Sequence, residues 1–262
     1  MPLKLAIAGA GGRMGRMLLA AAEADPAVHV VAALDHSGAP VIGQTLCGAV
    51  VTSDIGSVSG SDVLIDFTRP EGTLLHLAAC ADRGVNAVIG TTGFTEAQLA
   101  VVRGYSAKIA IVLAPNMSLG VNLTAKLVAV AAGALGMDAD IEVFEAHHKH
   151  KVDAPSGTAL MLGEVAADAR SQNFSDVAVF DRSSVSGERA PGSIGFSALR
   201  AGDIIGDHSV YFVLNGERIE VTHRSSSRET YAHGAIRAAK FVADKRAGMF
   251  GMGDVLGLAV TR

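Results

Sequence analysis

The stretch EAHHKHKVDAPSGTAL, residues 145–160, concentrates the side chains best suited to chemistry. Five consecutive residues, His147, His148, Lys149, His150 and Lys151, can all carry positive charge. Their mutual repulsion has to be offset, and an anionic ligand is the economical explanation. Ser156 to Ala159 then open a helix, whose first N–H groups lack intrahelical acceptors and whose dipole favours negative charge. A cationic loop feeding a helix N-terminus makes a clamp for a carboxylate or phosphate. Histidine titrates near neutrality and lysine carries a transferable proton, so acid–base chemistry on an anionic substrate is the leading reading. Metal binding competes, but His147 and His148 point to opposite faces of a strand, and no acidic or cysteine partner stands at ligand spacing. No metal is expected. A solvated basic loop is the remaining alternative, and nucleic-acid binding would want interleaved aromatics that are absent here.

A second candidate lies at the N-terminus, in AIAGAGGRMGRML, residues 6–18. It does not read G-x-G-x-x-G, because Met14 stands where the third glycine should fall. Gly9, Gly12 and Gly15 nevertheless recur at intervals of three, directly after an apolar strand and at the start of a helix. That arrangement lets a phosphate approach a helix N-terminus. Twenty residues beyond Gly15, Asp35 ends the next strand, where a carboxylate can accept hydrogen bonds from an adenosine ribose. The competing reading is a tight turn whose glycines only allow close packing. GTTGF (90–94) and APNMSLGVN (114–122) follow two further strands and would reach the same edge of a sheet.

The elements that must hold these residues divide into two patterns. Residues 4–9, 29–35, 62–67, 86–90 and 109–115 are continuous apolar runs of strand length, as in strands buried on both faces. Helices over 13–24, 70–83 and 95–104 alternate with them, which predicts a Rossmann-like, doubly wound parallel α/β sheet. Residues 39–60 read as irregular loop with room for one short element. After about residue 120 the pattern becomes α+β. It has helices over 122–135 and from Ser156, strands over 140–148, 177–182 and 193–200, and a hairpin around Asn215–Gly216. A last helix spans about 228–245.

Composition sets outer limits. A chain of 262 residues can hold two modest domains, and the change of pattern near residue 120 favours two. Twenty-two basic against 26 acidic residues leave a net charge of −4, which attracts neither nucleic acid nor an anionic membrane. Cys47 and Cys80 lack disulfide-framework or zinc spacing, in keeping with a reducing, cytoplasmic compartment. The sequence enters a strand within two residues of Met1 and shows no apolar run of about 18 to 20 residues, so no membrane span is expected.

Seven motifs carry a resemblance in order over nearly the whole chain: AIAGAGGRMGR, DFTRPEGT, IGTTGF, APNMSLGVN, EAHHKHKVDAPSGTA, GSIGFSALRAGDIIGDHSVYF and THRSSSRETYAHGA. The chain resembles the 4-hydroxy-tetrahydrodipicolinate reductases, also called dihydrodipicolinate reductases, of lysine and diaminopimelate synthesis. The resemblance implies NADH- or NADPH-dependent reduction of a cyclic dicarboxylate with loss of water. It places the pyrophosphate against Gly9, Ala10, Gly11, Gly12, Arg13 and Met14, and the adenosine ribose at Asp35 with His36 beside it. The nicotinamide end falls at Gly90, Thr91, Thr92, Ala114, Pro115, Asn116 and Met117. It makes His147 and Lys151 proton donors, His148 a substrate-binding residue, and Gly157 with Thr158 a carboxylate clamp. It also implies a dinucleotide-binding domain of 1–118 plus 228–262, a substrate-binding and tetramerisation domain of 119–227, closure about two hinges, and a homotetramer. Family members often carry arginine after the acid, whereas Asp35 is followed by His36. A carboxylate repels a 2′-phosphate, while Arg13 or a protonated His36 could offset it, so NADH is expected to be favoured and NADPH accepted. A different dicarboxylate on the same fold, or a nucleotide sensor without turnover, remain the alternatives.

Overall fold

The computed structural model describes residues 1–183 and 186–258. The chain forms two compact units, Met1–Leu119 with Glu229–Arg262, and Gly120–Arg228. Residues 259–262 of the expected first domain lie outside the described residues.

In chain order, β1 (Leu3–Ala8), α1 (Arg13–Glu23) and β2 (Val28–Leu34) lead to β3 (Thr45–Leu46), β4 (Ala49–Thr52) and β5 (Val63–Asp66). Then come α2 (Pro70–Arg83), β6 (Asn86–Ile89), α3 (Glu96–Tyr105) and β7 (Ala110–Leu113). The second unit takes α4 (Leu119–Leu135), β8 (Asp140–His147), α5 (Gly157–Ala169) and the short α6 (Phe174–Val177). It continues with β9 (Ala178–Val179), β10 (Ile194–Arg200), β11 (Gly206–Val213) and β12 (Arg218–Ser225). Finally α7 (Glu229–Ala243), β13 (Gly248–Phe250) and α8 (Met252–Val255) return to the first unit.

The first sheet runs β13-β7-β6-β5-β1-β2-β4-β3, parallel throughout except for the β3–β4 pair. Its central strands are nearly continuous apolar runs, such as Leu5–Ala8, Val63–Ile65 and Ala110–Leu113, because both faces are covered. Leu5, Ile7, Val63 and Ile65 pack with Leu18, Ala22, Ala235 and Ala239 of α1 and α7. Ala6, Ala8, Leu64 and Ile89 pack on the other side with Leu77 and Cys80 of α2 and Val102 of α3. Local signals set the helix ends. Pro70 opens α2, Gly84 at φ +69° closes it, and α3 begins with a capping box of Thr95 and Gln98.

The second sheet, β12-β11-β8-β10-β9, joins an antiparallel hairpin to three parallel strands. Ile141, Val143, Ile194, Phe196, Val210 and Phe212 form its apolar face under Val128 and Ala132 of α4 and Leu162 and Ala166 of α5. The hairpin turns where the sequence places it, with Gly216 at φ +92°.

Several elements differ from the sequence expectation. Residues 39–60 hold two strands and a 3-10 turn, and β4 extends the main sheet beside β2. Only Ala178–Val179 of the expected 177–182 strand pairs, because a helical turn runs up to Val177. Strand β13 is three residues long, below the length at which periodicity is visible. Helix α4 starts at Leu119 rather than Asn122, and with the 3-10 turn after it makes one apolar helix of 20 residues, Leu119–Asp138. No run of that length was evident in the sequence. Val128 and Ala132 pack one face of this helix on the core of the second unit, while Leu123, Leu127 and Val130 are exposed.

Candidate functional site

The glycine turn joins the carboxyl end of β1 to α1. Gly9 stands at φ +73°, which only glycine adopts without strain, and its carbonyl accepts from Gly12 N–H at 2.9 Å. A Cβ on Gly15 would lie 2.0 Å from that carbonyl, so this glycine serves the close approach of helix and turn. Gly12 is the N-cap of α1, and no side chain closes the helix end. The first N–H groups of α1 therefore stay open to an anion, and Arg13 and Arg16 are exposed beside them. Ala10 and Met14 are buried and half-buried there.

Asp35 is drawn into this turn. Its Oδ2 accepts from Gly11 N–H at 2.8 Å and its Oδ1 from His36 N–H at 2.8 Å. A Cβ on Gly11 would meet Val41 at 2.7 Å and Asp35 Oδ2 at 3.0 Å, so the loop leaves no room for a side chain. The donors, the bare helix end and the carboxylate fit a dinucleotide's pyrophosphate and ribose. The His36 ring is largely exposed.

Gly90, Thr91 and Thr92 follow β6, and Ala114, Pro115, Asn116 and Met117 follow β7, on the same carboxyl edge of the sheet as the turn. Gly90 has no room for a side chain, since its Cβ would sit 2.1 Å from the Phe67 ring. The Thr91 hydroxyl is committed inward, 2.8 Å from Thr73 Oγ1. Met117 is buried in the core, and Asn116 Oδ1 accepts from Ser118 N–H at 2.9 Å. Backbone groups are what Thr91 and Met117 can offer a ligand. Beside them the sequence reading missed Asp66, fully buried at the end of β5, which accepts from Thr68 N–H and Oγ1 and pairs with His76 Nδ1 at 2.8 Å.

In the second unit, the apolar rows of the sheet give way at one end to a polar layer. Glu145 and His147 continue the inward face of Ile141 and Val143 on β8, as residues two apart on a strand must. Glu145 is 1% exposed, yet its carboxylate is satisfied on every side. Arg200 donates to both oxygens at 2.7 and 2.8 Å, Ser156 N–H donates at 3.1 Å, and His147 Nδ1 lies 2.6 Å away. Burial would raise the Glu145 carboxyl, but the bonds from Arg200 and His147 outweigh it and hold it below the ordinary glutamate value. Bonding to a carboxylate makes Nδ1 the donor and leaves Nε2 of His147 for chemistry. Gly206 keeps that nitrogen accessible, since a Cβ there would stand 3.1 Å from it.

The basic loop after β8 is fixed by the same residues. Arg200 also donates to Asp153 C=O at 2.6 Å, and Lys151 Nζ is held by both Asp153 oxygens at 2.8 Å. His148 takes a contact of 3.3 Å from Arg228 at Nε2. Desolvation, and then Arg228, His150, His147 and Lys151, keep His148 below the usual histidine value. A cavity of about 610 Å³ is lined by His148, Lys149, His150, Asp203 and Arg228, with Gly202 and Ile205 completing it. Ser156 caps α5, its Oγ accepting from Ala159 N–H at 3.2 Å. Gly157, the first residue of α5, has nothing within 4 Å of a would-be Cβ. Packing does not demand that glycine, whereas close approach of a ligand to the helix end would.

The structure thus brings His147, His148, Lys151, Gly157 and Thr158 into one unit, with a buried Glu145 bonded to His147 and to the partly exposed Arg200. The partners the sequence reading missed are Glu145, Asp153, Arg200, His208 and Arg228. Glu145 was legible, being two positions from His147 on one strand. Arg200 lies 55 residues downstream of Glu145, and nothing local links them.

Comparison with known proteins bears on the whole chain. It matches the family models described as "Dihydrodipicolinate reductase, N-terminus" over residues 3–117 and "Dihydrodipicolinate reductase, C-terminus" over residues 120–256. It is 54% identical to a 4-hydroxy-tetrahydrodipicolinate reductase of Nitrosospira multiformis, covering 98% of each chain. It is also 54% identical to that of Burkholderia pseudomallei, over 98% of this chain and 100% of the relative. A dipicolinate-bound dihydrodipicolinate reductase from Paenisporosarcina sp. TG-14 superposes with a TM-score of 0.80 at 25% identity, over 97% of this chain and 99% of that one.

Proposed function

The chain belongs to the dihydrodipicolinate reductase family, and on that premise we propose which of its residues perform the reaction. The activity is reduction of 4-hydroxy-tetrahydrodipicolinate with a nicotinamide cofactor, a step of lysine and diaminopimelate synthesis. It yields tetrahydrodipicolinate with loss of water. The observation that carries the residue assignment is the buried Glu145–His147 pair set against the capped start of α5.

The first unit is the dinucleotide-binding domain and the second the substrate domain. Gly9–Met14 receive the pyrophosphate, Asp35 and His36 face the ribose, and Gly90–Thr92 with Ala114–Met117 line the nicotinamide end. The bound nicotinamide supplies a hydride. The substrate's carboxylates are held by His148 and by the α5 start at Gly157 and Thr158, where the helix dipole favours negative charge. His147, with Nδ1 committed to Glu145, holds a proton at Nε2 and delivers it to the reduced ring. Lys151 is the second donor. Its ammonium rests on Asp153, 55% exposed, and exchanges that partner for the anionic ligand. NADH is favoured, because the Asp35 carboxylate repels a 2′-phosphate, and NADPH is accepted.

The protein works in the cytoplasm as a homotetramer. Support for assembly comes from the second sheet's other face, where Phe144, Leu199, Tyr211 and Val213 alternate with the inward residues, and Leu199 and Val213 are 42% and 40% exposed. The assay is the loss of NADH absorbance with enzymatically generated hydroxy-tetrahydrodipicolinate, run beside other imino and keto diacids. Preference for another diacid would overturn the substrate, and a His147→Gln variant with near-normal kcat would overturn the site.

A further inference from the structure

We propose that His208 is a positioning residue of the dicarboxylate site, tying the first turn of α5 to the sheet beside His147; this rests on the reading of the site given above. His208 stands on β11, in register with Glu145 of β8 on one side and His223 of β12 on the other. It is 4% exposed, and its Nε2 lies 3.1 Å from Ser156 Oγ. That hydroxyl caps α5, and the backbone N–H of the same serine donates to Glu145. Ser156 is therefore gripped twice, its backbone from β8 and its side chain from β11. The grip fixes where Gly157 and Thr158 begin the helix.

The next inward positions on β11 are Val210 and Phe212, which fill the core with carbon alone. His208 Nδ1, by contrast, is buried with no hydrogen-bond partner among the described residues, a desolvation cost that an apolar side chain would avoid. The bond to Ser156 is what the imidazole provides in return. His147 and Glu145 from β8, His223 from β12 and Ser156 at the cap of α5 face this ring, and the charge of Lys151 acts on it from the loop. Burial and then the nearness of His147 push His208 down to about 4. An uncharged ring can stand edge-on to His147, 5.1 Å away, without repelling it when His147 takes up a proton. With Oγ already accepting from Ala159 N–H, the serine proton is free to go to a neutral Nε2, which accepts it.

The test compares the full-length protein with His208→Leu, His208→Gln and Ser156→Ala, reading KM for the dicarboxylate, Kd for dipicolinate by calorimetry, Kd for NADH, and kcat against pH. Leucine cannot accept from Ser156 and glutamine can. His208→Leu should raise the dicarboxylate KM and the dipicolinate Kd about tenfold with NADH affinity unchanged, His208→Gln should recover most of the loss, and Ser156→Ala should reproduce it. Absence of turnover in the unaltered protein overturns the reading of the site. Normal turnover there, with His208→Leu keeping its dicarboxylate KM and pH profile, overturns this proposal alone. Should His208→Leu fail to fold, an unchanged dipicolinate Kd in Ser156→Ala overturns it equally.

Discussion

Glu145 Oε2 and His147 Nδ1 lie 2.6 Å apart on one face of β8, with Arg200 closing the other side of the carboxylate. In the proposed mechanism the pair leaves Nε2 of His147 to carry the working proton. Glu145→Gln keeps the shape but presents an amide to both partners, so the imidazole loses its fixed tautomer and Arg200 its counter-charge. We expect kcat to fall about 10²- to 10⁴-fold and stability by about 3 kcal/mol, since half of a buried ion pair is removed. Steady-state kinetics and a denaturant titration on the same preparation check both; wild-type kcat would sink the dyad.

Lys151 and Asp153 make a different kind of pair. With Asp153 more than half exposed, the bond contributes little to stability. Asp153→Asn should leave the unfolding midpoint within experimental error, whereas Lys151→Met should lower kcat about 10²- to 10⁴-fold, as loss of a positioned acid does. The two variants, measured side by side with the same diacid, separate a proton donor from a loop staple. A Lys151→Met protein with near-normal kcat would leave the loop staple standing.

Much of this was legible because the signals are local. Strands such as β1 and β5 announce themselves by unbroken apolar runs, and α3 by Thr95 and Gln98. The basic run and the helix start after Ser156 stand within a dozen residues of each other. What was not legible is short or distant. Strands β3 and β13 are two and three residues long, too short to show a period; β13 gains its pairing from β7, and β3 from β4, which itself pairs with β2. The polar layer around Glu145 draws Arg200 and His208 from strands 55 and 63 positions away, and only the sheet register brings them together.

The Asp35 carboxylate accepts from Gly11 and His36 N–H groups and so is held in place before any cofactor arrives. In the proposed cofactor site its charge faces the position where a 2′-phosphate would add two more. We expect kcat/KM for NADH to exceed that for NADPH, and Asp35→Asn to shift the ratio about tenfold toward NADPH by removing repulsion while keeping one acceptor. Equal or better kcat/KM with NADPH in the unaltered protein would contradict this.

Burial of His208 also makes a prediction about acid stability. Its folded value of about 4 lies below the ordinary 6.5, so between those pH values the unfolded chain binds a proton that the folded chain refuses. The stabilisation is complete above pH 6.5, declines as the pH falls, and is gone below about 4, a full swing of about 3 kcal/mol. His223, also lowered by burial, acts in the same direction. At pH 5 the His208 share should already be reduced by about 2 kcal/mol relative to pH 7. Urea unfolding of the unaltered protein and of His208→Gln at both pH values isolates it. The unaltered protein should lose more stability on acidification than the variant, because glutamine has no proton to take up. Parallel losses would show that His208 already carries its proton in the folded protein, and the uncharged ring beside His147 would have to be abandoned.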